Sequence, residues 1–307
     1  MQAGIIVPQG WTGEYAGWDP RRAWDRSVEI AEAAERLGFE SIWAFDHFHT
    51  APEPTDELTF ESFTFLTALS QRTERVRLGH IVMSAGFRNP ALVAKMISTL
   101  DVLSGGRAEV GIGAGWKRDE WEAYGYGFPD TKRRLDGLRD ALAVLTEMLG
   151  PGRATHEGEH ASVRDAINEP RGLQQPRIPV MVGGNGPERT WRLAARFADE
   201  LNIDAMYPDD LREALPTIRA RCEEIGRDPA SLKVSVHVWW EHAAVPGTER
   251  IERLAAYREL GVHRIQCLVR DAVRSDEALG AFASDCSAAG IALDPSGAPP
   301  TLASSRA

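Results

Sequence analysis

Long apolar runs are missing from this chain. No stretch approaches the roughly 18 consecutive apolar residues of a membrane-spanning helix, and no signal-peptide pattern stands at the N-terminus, so a cytoplasmic protein without a membrane partner is expected. Cysteine is scarce as well. Cys222, Cys267 and Cys286 are odd in number, widely spaced and free of any C-x-x-C pattern, which argues against a disulfide framework or a zinc knuckle and predicts buried thiols. Charge blocks and coiled-coil heptads are absent too. The net charge of −10 is spread along the chain, so no nucleic-acid or anionic-membrane surface is expected and a small-molecule partner is the simplest inference. Linker composition is lacking throughout, and with it any sign of a hinge between two domains, apart from residues 150–177.

What the chain does have is a repeated alternation of short apolar runs with amphipathic segments. Its centre is residues 78–116, where a run ending in small residues and Pro90 leads through a helical segment at 91–103 to A-E-V-G-I-G-A-G-W. Two strands around one crossover helix form a βαβ unit, and both strands release the chain at the same end of a parallel sheet. Further strands are expected at 3–7, 41–45, 178–182, 200–203, 232–238 and 262–269. Helices are expected after Asp19-Pro20 (an N-cap followed by Pro at the first position) and at 60–71, 132–148, 209–225, 248–260 and 275–289, with another opening at 183–188. About eight such repeats predict an α/β fold, a (β/α)8 TIM barrel over residues 1–293, with an open doubly wound sheet as the alternative. Residues 150–177, far longer than the usual connection of roughly 4 to 6 residues, read as an inserted hairpin or excursion between helix 4 and strand 5. Residues 294–307, mostly Pro, Ser, Ala and Gly, read as a disordered tail.

Chemistry is most concentrated at Asp46-His47-Phe48-His49, a polar cluster at a strand exit. A carboxylate beside an imidazole suits general acid/base work. A solvated loop with a capping Asp is the bland alternative. His47 and His49 also form H-x-H, as in metal-dependent barrel hydrolases, but only His80 and His237 are available as further imidazoles, and no metal is expected. Gly183-Gly184-Asn185-Gly186 sits between a strand and a helix, where free backbone N–H groups favour an anion, and Gly113-Ala114-Gly115 is a second loop of this kind. Two such loops on one barrel face suggest a phosphorylated cofactor whose ring lies over the mouth. Trp11, Trp116, Trp239 and Trp240 fall at expected strand exits and would suit a planar ring or an apolar substrate, though any one of them could be ordinary core.

The segments S-I-W-A-F-D-H-F, L-G-H-I-V-M-S-A-G-F-R-N-P through V-G-I-G-A-G-W, and I-P-V-M-V-G-G-N-G-P-E-R-T closely resemble the luciferase-like monooxygenase superfamily, most of all its coenzyme F420-dependent oxidoreductase branch. The resemblance runs over residues 5–269. It implies a luciferase-like barrel, often a homodimer, that transfers a hydride between the deazaflavin F420 and an organic substrate, with FMN-dependent monooxygenases as the nearest alternative and a non-catalytic flavin-binding protein as another. It also implies a non-prolyl cis peptide between Ile81 and Val82 under the ring, with Asp46 touching the cofactor and His47 as the catalytic acid/base. Ser84, Gly113, Ala114, Gly115, Gly183, Gly184 and Asn185 would lie along ring and tail. Trp116 stands where some sugar-phosphate dehydrogenases of the family carry a catalytic Glu, and Asp119 where they carry a cofactor-binding Asn; Glu120 next to it has no assigned role. A sugar-phosphate substrate is therefore not expected.

Overall fold

Strands and helices alternate from one end of the chain to the other in the computed structural model, which describes residues 1–243 and 245–296. The first half runs β1 (Gln2–Ile6), α1 (Pro20–Arg36), β2 (Ser41–Ala44), α2 (Ser62–Ser70), β3 (Arg77–His80), β4 (Met83–Ser84), α3 (Pro90–Leu103), β5 (Ala108–Gly113), α4 (Arg118–Ala123) and α5 (Thr131–Leu149). The second runs β6 (Ala154–His156), β7 (Val163–Ala166), β8 (Val180–Gly183), α6 (Thr190–Phe197), β9 (Glu200–Asp204), α7 (Pro208–Glu223), β10 (Lys233–Val238), α8 (Trp240–Ala243), α9 (Thr248–Glu259), β11 (Arg264–Cys267) and α10 (Asp276–Ala288).

Nine strands form one sheet in the order β3-β2-β1-β11-β10-β9-β8-β5-β4, and pairing of β3 with β5 closes it. Its ladders are parallel. β3 and β4 are two halves of one stave, so the sheet is the closed eight-stave barrel expected from the alternation. The run ahead of Pro90, expected as the first strand of the βαβ unit, is divided at Ile81–Val82, where the peptide bond is cis as the resemblance implied.

Local sequence explains the helix starts. Asp19 accepts hydrogen bonds from the Arg21 and Arg22 amides with Pro20 in the first turn, and Asn89 caps α3 through the Ala91 amide ahead of Pro90. The helix expected to open at 183–188 begins only at Thr190, because Gly184 adopts φ +134° and turns the chain away first. α4 was not legible. The excursion holds an antiparallel hairpin of β6 and β7. Asn168, just after it, ties this segment to the body by donating to Ser98 Oγ and the Met148 carbonyl, both at 2.9 Å. The tail expected at 294–307 lies, from 297 onward, outside the described residues.

Two main apolar cores result, beside a small third cluster of Tyr15, Ala23 and Val273. The larger one lies between staves and helices, and the smaller fills the barrel with Ile6, Trp11, Trp43, Phe45, Ile81, Met181 and Leu268. Trp43 fits only because Gly4 and Gly79 face it; a Cβ on either would stand 2.7 Å or 2.3 Å from the indole. Beneath it the barrel is closed by charge. Arg264 lies over the Trp43 ring at 4.7 Å, donates to Glu200 Oε2 at 2.7 Å, and is shared with Glu109, which also takes Arg77. Burial would raise the Glu109 carboxyl, but the two guanidiniums outweigh it and bring it down to about 2. Burial wins at Glu200, which has Arg264 alone and the negative Glu109 nearby, and its carboxyl is raised. The three cysteines are buried and unpaired, and among the described residues no helix is long and apolar enough to cross a membrane.

Candidate active site at the barrel mouth

A cavity of about 580 Å³ opens at the C-terminal ends of the staves. Asp46, His47, Ile81, Val82, Ser84, Gly113, Ala114, Gly115, Gly183, Gly184 and Asn185 all line it. The two glycine loops are therefore neighbours. What joins them is Val82, whose methyls would meet a Cβ on Gly113 at 2.9 Å and one on Gly183 at 2.8 Å. The glycines make room for the Val82 step in the floor rather than for a ligand at those two Cβ positions.

His47 leaves β2 and meets a partner from far along the chain. Its Nδ1 donates to Glu120 Oε2 at 2.7 Å, while Glu120 Oε1 accepts the amides of Phe48 at 2.8 Å and His49 at 3.3 Å. Glu120 is 0% exposed and lies in the first turn of α4, where amide dipoles favour an acid. The Trp11 ring lies flat on the imidazole, centroids 4.2 Å apart and 5° from parallel, and Trp116 meets it edge-on at 5.9 Å. Plane and tautomer of His47 are thus fixed, and Nε2 is the nitrogen left for a ligand.

His49 is held differently. Its Nε2 meets Asp119 Oδ2 at 3.2 Å, and Lys117 shares that carboxylate. The H-x-H pair is split between two adjacent carboxylates, and among the described residues no group of three or more His, Cys, Asp or Glu is arranged for a metal ion. Asp119, at the position matched to a cofactor-binding Asn, spends its side chain on these contacts.

Asp46 lines the cavity, yet its carboxylate is fully engaged. Arg88 donates to both oxygens at 2.8 and 2.9 Å, Ser62 Oγ donates at 2.8 Å and the Ser84 amide at 3.1 Å. Burial would raise this carboxyl, but Arg88 outweighs it and holds it below the usual range. Asp46 therefore pins β4 against β2 and shapes the floor. The Asn185 side chain is similarly used, accepting the Asp204 amide at 2.9 Å and donating to the Asp204 carbonyl at 2.7 Å, which leaves its backbone toward the cavity.

Sequence reasoning left Glu120 without a role because nothing local marks it; α4 is six residues long and Glu120 sits 73 positions from His47. It likewise missed Arg134 and Lys117, the two cations in the cavity wall, and Asp204. Ser84 Oγ, which also lines the cavity, is buried without a partner, a hydroxyl available to a ligand.

Comparison with known proteins places this geometry in a lineage. The chain is 36% identical over 196 residues, 63% of its length and 55% of the relative's, to an F420-dependent glucose-6-phosphate dehydrogenase of Intrasporangium calvum. A protein of the same description from Kineococcus radiotolerans is 32% identical over 69% of this chain and 62% of its own length. The chain thus spans between half and two thirds of these relatives. Among solved structures, an F420-dependent secondary alcohol dehydrogenase in complex with an F420-acetone adduct superposes with a TM-score of 0.77 over 94% of this chain and 98% of that one, at 20% identity, a likeness of fold. The family model described as luciferase-like monooxygenase matches residues 1–245, and the chain belongs to that family.

Proposed function

We propose that the protein is an F420-dependent oxidoreductase that moves a hydride between the deazaflavin and an uncharged organic substrate of small or medium size. The observation that carries this is the His47–Glu120 pair: an imidazole backed by a buried carboxylate, stacked on Trp11, with Nε2 left to face a cavity floored by the Ile81–Val82 step. The cavity suits the cofactor. A flat apolar floor, the unpartnered Ser84 hydroxyl and the Arg134 and Lys117 cations at the wall match a planar ring with polar edges and an anionic tail. When bound, F420 supplies an obligate hydride acceptor or donor.

The chain's own residues then have three tasks. Ile81, Val82 and the glycine loops would hold the ring, and Trp11, Trp116 and Trp239 would exclude water from its open face. In alcohol oxidation His47 Nε2 would take the hydroxyl proton as the hydride leaves the same carbon, and in the reverse direction return it to the carbonyl oxygen. Glu120 would stabilise the imidazolium formed in between. An aromatic wall at Trp116 in place of an acid disfavours a sugar phosphate, despite the names of the relatives. We propose further that the enzyme is cytoplasmic and works as a homodimer, the latter supported by the exposed Leu92, Val102 and Leu103 of α3 and checked by light scattering.

Titration of the purified chain with F420, oxidised and reduced, and with FMN tests the cofactor. Binding of F420 in preference to FMN is expected. Tighter binding of FMN with oxygen consumption would replace the proposal by a monooxygenase, which the family description also allows, and no affinity for either would end it.

A further inference from the structure

The same cavity contains a second imidazole that the mechanism above does not use. His237, on β10, is 4% exposed, and its Nδ1 lies 3.1 Å from Oδ1 of Asp204 on the neighbouring β9. Trp239 Nε1 donates to the same oxygen at 2.7 Å. Burial would raise the Asp204 carboxyl, but His237, through its hydrogen bond and its charge when protonated, and the Trp239 hydrogen bond outweigh it and hold it below the usual range. An ionised carboxylate only accepts, so Nδ1 carries the hydrogen and, in the neutral ring, Nε2 is a bare acceptor. That Nε2 is buried and has no partner in the protein. A buried acceptor left unmade is costly, and one that lines a ligand cavity points to a donor arriving with the ligand.

The surroundings narrow what that ligand is. Phe45 stands between the two imidazoles, 5.6 Å from His237 and 6.5 Å from His47, and Trp11 and Trp239 flank them with centroids 6.0 Å apart. Of the residues lining the cavity only Lys117 and Arg134 are cations. Lys117 is paired with Asp119, and Arg134 donates to the Gly115 and Pro129 carbonyls. Both stand among the residues assigned above to the cofactor's anionic tail, so a second, substrate anion near His237 would find no further cation among the lining residues.

We propose that His237 is a specificity-determining residue, and that the substrate is an uncharged, flat or apolar molecule carrying a hydroxyl or N–H group, separate from its reacting carbon, that His237 Nε2 accepts. This rests on His47 serving the reacting carbon. The competing source of a donor is the cofactor's own ring, and the test separates the two.

Acetophenone and its 3′- and 4′-hydroxy derivatives are titrated calorimetrically into the F420-loaded chain and into the chain alone, with His237→Phe beside the wild type. A hydroxylated ketone is expected to bind about 10-fold tighter than the parent, a preference lost in H237F while F420 affinity stays unchanged. In the wild type, ¹⁵N NMR should show the His237 Nε2 resonance moving with the hydroxylated ketone and not with the parent, a readout that survives poor folding of the variant. Equal affinities, no binding of any probe, or a loss of F420 affinity in H237F with the preference intact would each overturn the proposal. If the hydroxyl preference persists in a chain that does not bind F420, the cofactor assignment fails and the role of His237 stands.

Discussion

Glu120→Gln separates the positioning of His47 from the folding of the loop that carries it. The wild-type carboxylate makes three contacts, to the His47 imidazole at 2.7 Å and to the Phe48 and His49 amides at 2.8 and 3.3 Å, and none is solvated. Alanine at this position would leave three half-buried donors without their acceptor, at up to roughly 1–3 kcal/mol each, so that lost activity would be indistinguishable from lost structure. Glutamine keeps an oxygen for the two amides but turns an N–H₂ toward His47. Nδ1 must then accept, the hydrogen moves to Nε2, and the imidazole can no longer take a proton from a hydroxyl on that side. Replacing the carboxylate that orients a catalytic imidazole by its amide lowers turnover by up to about 10⁴-fold in serine-protease triads. A loss of about 10² to 10⁴ in kcat is expected here, with the thermal midpoint and F420 affinity little changed. The measurement that a structural role would not move is ¹⁵N NMR of His47, which should report hydrogen on Nδ1 in the wild type and on Nε2 in E120Q. Wild-type turnover in E120Q, or hydrogen on the same nitrogen in both proteins, refutes the assignment.

His47→Ala should lower turnover by about 10²-fold or more with cofactor affinity largely intact, and unchanged turnover would remove His47 from the mechanism. Gly183→Val should weaken F420 binding, measured by fluorescence titration, because the new side chain collides with Val82 at 2.8 Å and shifts the floor; thermal stability should fall with it, which simple exclusion of a phosphate would not cause. Glu109 is held at about 2, below its ordinary 4.5, so it contributes stability above pH 4.5 that is lost as pH falls toward 2, on the order of 3 kcal/mol. Urea midpoints of Glu109→Gln against pH should therefore be lower at neutrality and shallower between 4.5 and 2, and an unaltered acid slope would count against the network.

Much of this was legible because it is local. Asp19-Pro20 and Asn89-Pro90 announce helix starts through the backbone chemistry of two residues, and apolar runs between them can only be staves. The grouping of Asp46, His47 and the two glycine loops followed from parallel strands sharing one exit. What escaped was set by contacts between distant residues. Glu120 acquires meaning only when the segment after β5 reaches across the β3–β4 stave to the exit of β2. The helix at 118–123 is too short to display a period, and residue pattern alone does not divide the stave at Ile81–Val82, where only the family resemblance pointed to a cis bond. The Asp46 and Asn185 side chains, expected along the cofactor, line the cavity and also hold neighbouring strands together, a task that nothing local announces.

The alternation of side chains along β9, β10 and β11 explains how the polar groups on that side of the barrel are stacked in layers. Every second residue faces inward, so Glu200, Asn202 and Asp204 rise in one column, Ser235 and His237 in the next, and Arg264 and Gln266 in a third. Charges meet at the bottom, where Arg264 joins Glu200 and Glu109. Above them Asn202 donates to Ser235 Oγ at 2.9 Å and Gln266 Oε1 at 3.1 Å, and Asp204 with His237 stands on top of that satisfied layer. On the opposite side β5 offers Gly111 and Gly113, which let the His80 carbonyl and Val82 close in and build an apolar floor. A ring laid over Val82 would have the β9–β10 wall as one polar surface beside it, apart from the His47–Glu120 side. The Asn202, Ser235 and Gln266 side chains are used one layer lower, and Asp204 Oδ1 is taken by His237 and Trp239, so on this wall His237 Nε2 is the imidazole nitrogen left for a substrate donor.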